Sequence, residues 1–494
     1  MTRVTDPAER IDPRRHDMAA DPYRPLYHFL SPTAFLGDPH GQLFWNGRYH
    51  LFYQHNPDGG FSETNARMHW GHASSEDLVH WTDLPIAIAP IPGSVTGGGC
   101  YSGTAFLDAQ GTPTIIHYAG GCGICIWRSR DDMLVSWEGH PANPVIPRET
   151  EGDPYRIFDP CGWTEGRMYY ALSGGRSPDG RDVAYLFQSQ DLACWEYVRP
   201  FYEATSFTDA GEDCAVPEFF PIAGKHMLLF ASHTRGAQYY IGEYADRKFR
   251  PERHGRMNFD SVGLTEGNLF APASLADHQG RRIFLAWIPE GRAEEVHRAS
   301  GWSGILSLPR VLSLARDDAL LTEPAPEFEI LRRDHRQFAD IRVAEDAPAD
   351  PPDVQGNCLE IAAEIEPGDA RTFGINVLAS PDRDERTVIS YSSDDACLTL
   401  DPSSSSLSED VVGRGSQRAP LELAEGESLD LRIFLDRSVV EVFANGRLCL
   451  TKRVYPSRPD SVAVRLFARG GTAVVRSMDV WRMAPVWPEA PDSL

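Results

Sequence analysis

The sequence predicts an all-β protein, a five-bladed β-propeller followed by a C-terminal β-sandwich. Three observations carry this. A turn glycine followed by a short β-rich run occurs five times, in NGRYHLFYQH, QGTPTIIHYAGG, EGRMYYALSGG, AGKHMLLFASH and QGRRIFLAWI. The glycines are Gly47, Gly111, Gly166, Gly224 and Gly280, at intervals of 64, 55, 58 and 56 residues. A second marker recurs between them: SEDLVHW ends at Trp81, SRDDMLVSW at Trp137 and SQDLACW at Trp195, intervals of 56 and 58. Beyond Pro309 and Arg310 this register stops, and short alternating strands take over. Repeats of this length, rich in aromatic and β-branched residues and without long helical periodicity, have the signature of propeller blades. A four-stranded blade cannot bury its faces alone, so the blades close into a ring.

In order along the chain, residues 1–25 are polar and Pro-containing and read as a tail. Residues 26–320 form the propeller. Residues 321–353 are acidic and Pro-rich, which reads as a linker with a short helical turn. Residues 354–486 carry the sandwich strands, among them CLEIAAEIE, TFGINVLAS, TVISYSS and LDLRIFLDRSVVEVFANG, with Asn445-Gly446 as a hairpin signal. The serine run from Ser403 to Ser406 reads as a surface loop, and residues 487–494 as a tail.

Bulk properties exclude several functions. The net charge of -24 disfavours nucleic acid and anionic membrane surfaces as partners and fits a small neutral or cationic ligand. The N-terminus has no apolar signal region, and no apolar run approaches the roughly 18 residues that span a bilayer. The nine cysteines are scattered, with Cys122 and Cys125 the one C-x-x-C pair and no second pair or His ligands at zinc spacing. A cytoplasmic protein with structural thiols, no metal and no cofactor is therefore expected, and a homo-oligomer remains open.

The chemistry centres on Asp38, held in the turn Gly37-Asp38-Pro39-His40-Gly41 ahead of an aromatic-rich strand. A carboxylate next to Pro has a restricted backbone and a defined direction. Asp38 lies nine residues before Gly47, and Asp159, again in an Asp-Pro pair, lies seven before Gly166. Equivalent places in two blades aim both carboxylates at the central funnel. Two or three convergent carboxylates in an aromatic funnel suit glycoside hydrolysis, in which one acid attacks the anomeric carbon and another protonates the leaving oxygen.

The chain resembles glycoside hydrolase family 32, the invertases, inulinases and levanases. GDPHG is similar to the family's Asn-Asp-Pro-Asn-Gly box. HLFYQHNP, MHWGHASSEDLVHW, YSGTAF, APASLADHQGRRIFLAW and GWSGILSLPR follow in the family's order. LRIFLDRSVVEVFANG resembles the strand pair of its C-terminal sandwich, so the likeness runs from residue 26 to 483. It implies that Asp38 is the nucleophile and Asp159 the transition-state stabiliser, with Gln54, Trp70, Tyr101 and Ser102 lining a fructosyl subsite.

Three departures stand out. Gly37 replaces the Asn before the nucleophile. Phe158 replaces the Arg before the stabiliser; Arg156, two residues earlier, is a candidate substitute, and the sequence leaves open whether it takes that place. Ala215 of AVPEFFP stands where the family carries its acid/base glutamate. Three nearby acids remain. Residues two apart share a strand face, so Asp213 points with Ala215 and lies about 6.6 Å from it. Asp213 therefore ranks first as proton donor, then Glu218, then Glu212; a bulge at Pro217 would change this order.

The resemblance implies a retaining glycosidase that releases terminal β-D-fructofuranosyl units from sucrose or fructo-oligosaccharides. A fructosyltransferase, a glycosidase for another furanoside, or a sugar-binding protein that lost hydrolysis with its glutamate are the alternatives.

Overall fold

The computed structural model describes residues 12–18, 20–59, 67–203, 206–259, 266–345, 351 and 353–487. Five antiparallel sheets form a propeller. Blade I consists of Ala34–Trp45, Arg48–Asn56, His69–Ser75 and Trp81–Ile88. Blade II begins with Cys100–Leu107, blade III with Pro160–Glu165, blade IV with Ala215–Ile222 and blade V with Phe270–Ala276. These five inner strands neighbour one another in a closed ring, the first packing against the last. Trp302–Ser303 completes the closure by pairing in parallel with Ala34 and Phe35, which ties late chain to the first blade.

The glycine period has a backbone cause. Each marker glycine lies between the first and second strands of its blade and has a positive φ, between 62° and 83°. A Cβ at any of the five would meet nothing within 4 Å, so the requirement is conformational and not steric. At Asn46-Gly47 and Ala223-Gly224 both turn residues have positive φ, matching the right-handed twist of the flanking strands. The Trp period has a second cause. In blades I to III the indole Nε1–H of Trp81, Trp137 and Trp195 donates to the carbonyl three residues earlier, at 3.1, 2.8 and 3.0 Å. Those carbonyls belong to Leu78, Leu134 and Leu192, all with positive φ. In each turn an Asp accepts backbone N–H groups, two at Asp77 and Asp191 and three at Asp131.

A six-stranded sheet and a five-stranded sheet form the sandwich around their own apolar core. A second core joins it to the propeller, uniting Phe434, Val439, Phe443 and Cys449 with residues of blades I, IV and V. Buried carboxylates from the LRIFLDRSVVEVFANG stretch complete this junction. Asp436 accepts the backbone N–H groups of Leu26, Tyr27 and His28 at 2.7, 2.9 and 2.9 Å, and Glu441 accepts from Arg310 and from the Leu308 N–H, both at 3.0 Å.

Three expectations are corrected. The expected linker 321–353 contains the last strand of blade V, Leu320–Pro324, a 3-10 turn at Pro326–Leu331, and the sandwich edge strand Arg332–Ala344. That edge strand is mostly exposed and charged, a composition that protects edges and that resembles a linker. The described part of the N-terminal tail is not loose: Arg15 pairs with Asp83 at 2.7 Å and Tyr23 donates to the Pro456 carbonyl. At the other end Trp487 is buried against Phe29, with the Arg15 guanidinium 3.7 Å over its ring. Within the serine run, Ser405 and Ser406 are buried. All nine cysteines are free thiols. No helix among the described residues is long and apolar enough to cross a membrane.

Candidate active site

The N-terminal ends of the inner strands meet at one mouth of the propeller, and the ends of the second strands return there. Asp38 sits inside the first inner strand, Asp159 immediately before the third and Asp213 two residues before the fourth. The two-residue difference between Asp38 and Asp159 in distance to their glycines has a structural origin. One residue is taken up by the bulge between His40 and Leu43. The other arises because Gly47 is the second turn residue and Gly166 the first.

Asp38 is buried and held from one side. Ser102 Oγ–H donates to its Oδ2 at 2.6 Å and Gln54 Nε2 to the same oxygen at 3.1 Å, while Gln54 also reaches Ser102 Oγ at 2.5 Å. Among the described residues both side-chain donors use Oδ2, and no side chain bonds Oδ1. Burial raises the Asp38 carboxyl above its ordinary value, opposed by Ser102 and by the charge of His233. Asp159 is pushed further, to about 7, by burial and then by repulsion from Asp38, while the Val216 N–H bonds it and opposes the rise. Two buried carboxylates that feel each other in this way cannot both ionise freely.

The three candidate proton donors separate clearly. Asp213 joins the cluster: it is felt by Asp159, and it accepts the Nδ1 proton and backbone N–H of His233 at 2.6 and 2.9 Å. Burial works against its ionisation, but these His233 bonds hold it below the usual carboxylate range. Glu218 points elsewhere. A bulge between Ala215 and Glu218, with Val216 at φ 44°, turns it toward blade V, where Ser274 donates to it at 2.9 Å and burial lifts it to about 7. Glu212 is tied to Arg256 at 2.7 Å and to Gln238 at 3.0 Å, away from Asp38.

Among the expected subsite residues, Gln54 and Ser102 hold the carboxylate directly and Tyr101 is half-buried at the mouth. Trp70 has no exposed surface, so a sugar cannot touch it. It stacks under His40 at 3.9 Å and its indole N–H holds the Tyr101 carbonyl at 2.9 Å, supporting the floor. Arg156 is exposed and faces Glu149 at 3.7 Å instead of replacing the missing Arg.

Sequence reasoning missed His233 and Arg176. Both lie at the mouth ends of second strands, in blades IV and III, and Arg176 acts on Asp213 by its charge. The available signal was that a hairpin returns the end of its second strand to the start of its first. An aromatic collar was also hidden. Rings run from Tyr101 to Tyr118, Phe158, His233, Phe270, Trp287 and Phe35, neighbouring centroids 5.6 to 6.3 Å apart, and so pass through all five blades.

Comparison with known proteins gives a consistent picture. The model described as "Glycosyl hydrolases family 32 N-terminal domain" matches residues 28–324, and "Glycosyl hydrolases family 32 C terminal" matches 327–482. A sucrose-6-phosphate hydrolase of Escherichia coli is 29% identical over 95% of this chain and 96% of its own length. A levanase of Bacillus subtilis is 28% identical over 95% of this chain and 72% of its own. The crystal structure of fructan 1-exohydrolase IIa from Cichorium intybus superposes with a TM-score of 0.83 over 94% of this chain and 98% of that one. At 23% identity that likeness speaks for the fold.

Proposed function

Because the chain belongs to glycosyl hydrolase family 32, we propose that it releases terminal β-D-fructofuranosyl units from sucrose, its 6-phosphate or fructo-oligosaccharides with retention of configuration. The observation that carries this is the convergence of Asp38, Asp159 and Asp213 at one mouth, with Asp38 alone gripped by two neutral donors. A nucleophile needs a fixed direction and an oxygen that side-chain donors leave unengaged, which fits a Ser102–Gln54 grip confined to Oδ2. Asp38 attacks the anomeric carbon, a proton from the blade IV side releases the leaving sugar, and water then completes the second displacement. Asp159, protonated up to about pH 7, donates a hydrogen bond to a ring hydroxyl as charge develops. The nine free thiols support a reducing, cytoplasmic setting.

The test is fructose release from sucrose, sucrose 6-phosphate and inulin by the unmutated protein and by Asp38→Asn. Loss of the nucleophile should lower kcat by roughly 10⁴-fold or more. The sugar should be released first as the β anomer; initial release of the α anomer would refute the retaining mechanism. A second reading rests on Ala215: a sugar-binding protein that kept the fold and lost the acid. Binding of fructosides without turnover by the unmutated protein would favour it.

A further inference from the structure

The position at which this family carries its acid is Ala215, a buried methyl group paired with Ala231. One two-residue step further up the same hairpin, Asp213 and His233 face each other across it, joined by the 2.6 Å Nδ1 bond and the 2.9 Å backbone bond. The imidazole is thereby fixed in plane with Nδ1 engaged, and among the described residues no group bonds Nε2. His233 is half-exposed at the mouth, in the arc of rings, between Phe158 at 6.3 Å and Phe270 at 5.6 Å. Its charge acts on both Asp38 and Asp159. A positive Arg in place of Phe158 would repel an imidazolium here, whereas the phenyl ring tolerates it.

We infer that His233 Nε2 is the catalytic acid/base of this chain, with Asp213 as the positioning residue that orients the imidazole. This rests on the fructoside hydrolysis proposed above. In the first step an Asp38 oxygen forms its bond to the anomeric carbon while the glycosidic C–O bond breaks. The Nε2 proton passes to the leaving oxygen, and the imidazole becomes neutral. In the second step Nε2 takes a proton from water, the water oxygen bonds to the anomeric carbon, and the bond to Asp38 breaks. Imidazolium and carboxylate are restored.

The electrostatic setting favours the charged imidazole at the start. The Asp213 bond raises the His233 pKa above the ordinary value, burial opposes it, and the charge of Asp38 adds to the rise, joined by that of Asp159 only once Asp159 ionises. The facing groups are Asp213 from blade IV, Asp159 from blade III and Asp38 from blade I, together with the Phe158 and Phe270 rings. Arg176 stands beside Asp213, and Arg235, two residues along, is turned to Asp209 at 2.7 Å.

The experiment compares the unmutated protein, His233→Gln and Asp213→Asn on sucrose and on an aryl β-fructofuranoside whose leaving group needs no proton. We expect His233→Gln to lower sucrose turnover by about 10² to 10⁴-fold while fructosylation by the aryl substrate stays within tenfold. Azide, which needs no general base, should restore turnover of the aryl substrate. Asp213→Asn should cost about tenfold and move the basic limb of the kcat profile to lower pH, since the imidazole loses its partner. Sucrose turnover by His233→Gln within threefold of the unmutated protein, or a deeper loss in Asp213→Asn than in His233→Gln, would overturn the assignment while leaving fructoside hydrolysis intact. Absence of turnover on both substrates by the unmutated protein would overturn both readings.

Discussion

Replacing Asp159 with Asn should stabilise the protein at neutral and alkaline pH while impairing it as an enzyme. Asp159 is buried, and burial together with Asp38 lifts its carboxyl from an ordinary 3.8 to about 7. The shift is about three units, and at 1.36 kcal/mol per unit the ionised form costs the fold roughly 4 kcal/mol. The sign follows from a raised folded-state value. The native state favours the protonated acid, so this group's stabilising contribution is full below about pH 4 and is lost as pH rises to about 7. Asn retains an acceptor for the Val216 N–H and never ionises. Its advantage should therefore be absent below pH 4, grow between pH 4 and 7, and level off near pH 8 at a ceiling of about 4 kcal/mol. Thermal or denaturant unfolding of both proteins at pH 4, 6 and 8 measures this. An equal difference at all three pH values, or a variant that is less stable at pH 8, would refute the reasoning. The same variant should lose turnover, so stability and function would oppose each other at one side chain.

Two further contacts, one at the nucleophile and one at the propeller–sandwich junction, give measurable outcomes. Ser102→Ala removes the 2.6 Å donor to a buried carboxylate, a bond worth about 1.5 to 3 kcal/mol. The Asp38 value then rises further, and the acid limb of the kcat/KM profile should move up by about 1 to 2 pH units; an unmoved limb would refute the role of Ser102. Arg310→Met strips Glu441 of its buried partner at the propeller–sandwich junction and should destabilise the protein by about 3 to 5 kcal/mol at pH 7. The Arg310 charge holds Glu441 below its usual range despite burial, so this loss should shrink in acid as Glu441 protonates; calorimetry at pH 7 and 4 reads both.

Much of the fold was legible because its causes are local. A glycine at positive φ and a Trp that bonds the carbonyl three residues before it depend on their own few neighbours, so they recur from blade to blade. The Asp-Pro pairs were legible for the same reason, since Pro39 and Pro160 restrict the backbone on which each acid sits. Other features depend on what ring closure brings together. Strand parity puts Asp213 ahead of Glu218, but only the folded chain separates them fully, as a bulge around Val216 sends Glu218 toward Ser274 and leaves Asp213 at the mouth. His233 acquires its meaning from Asp213, twenty residues away, and Arg332–Ala344 looks like a linker because an exposed edge strand buries too little to alternate. The Asp436 and Glu441 carboxylates were visible within a motif but without a role, which is to pin the sandwich to the propeller. Sequence by itself determined the blades, their turns and the two Asp-Pro carboxylates. Only the tertiary structure decided which acids share the funnel, because burial, bulges and the electrostatic reach of neighbouring blades exist once the ring has closed.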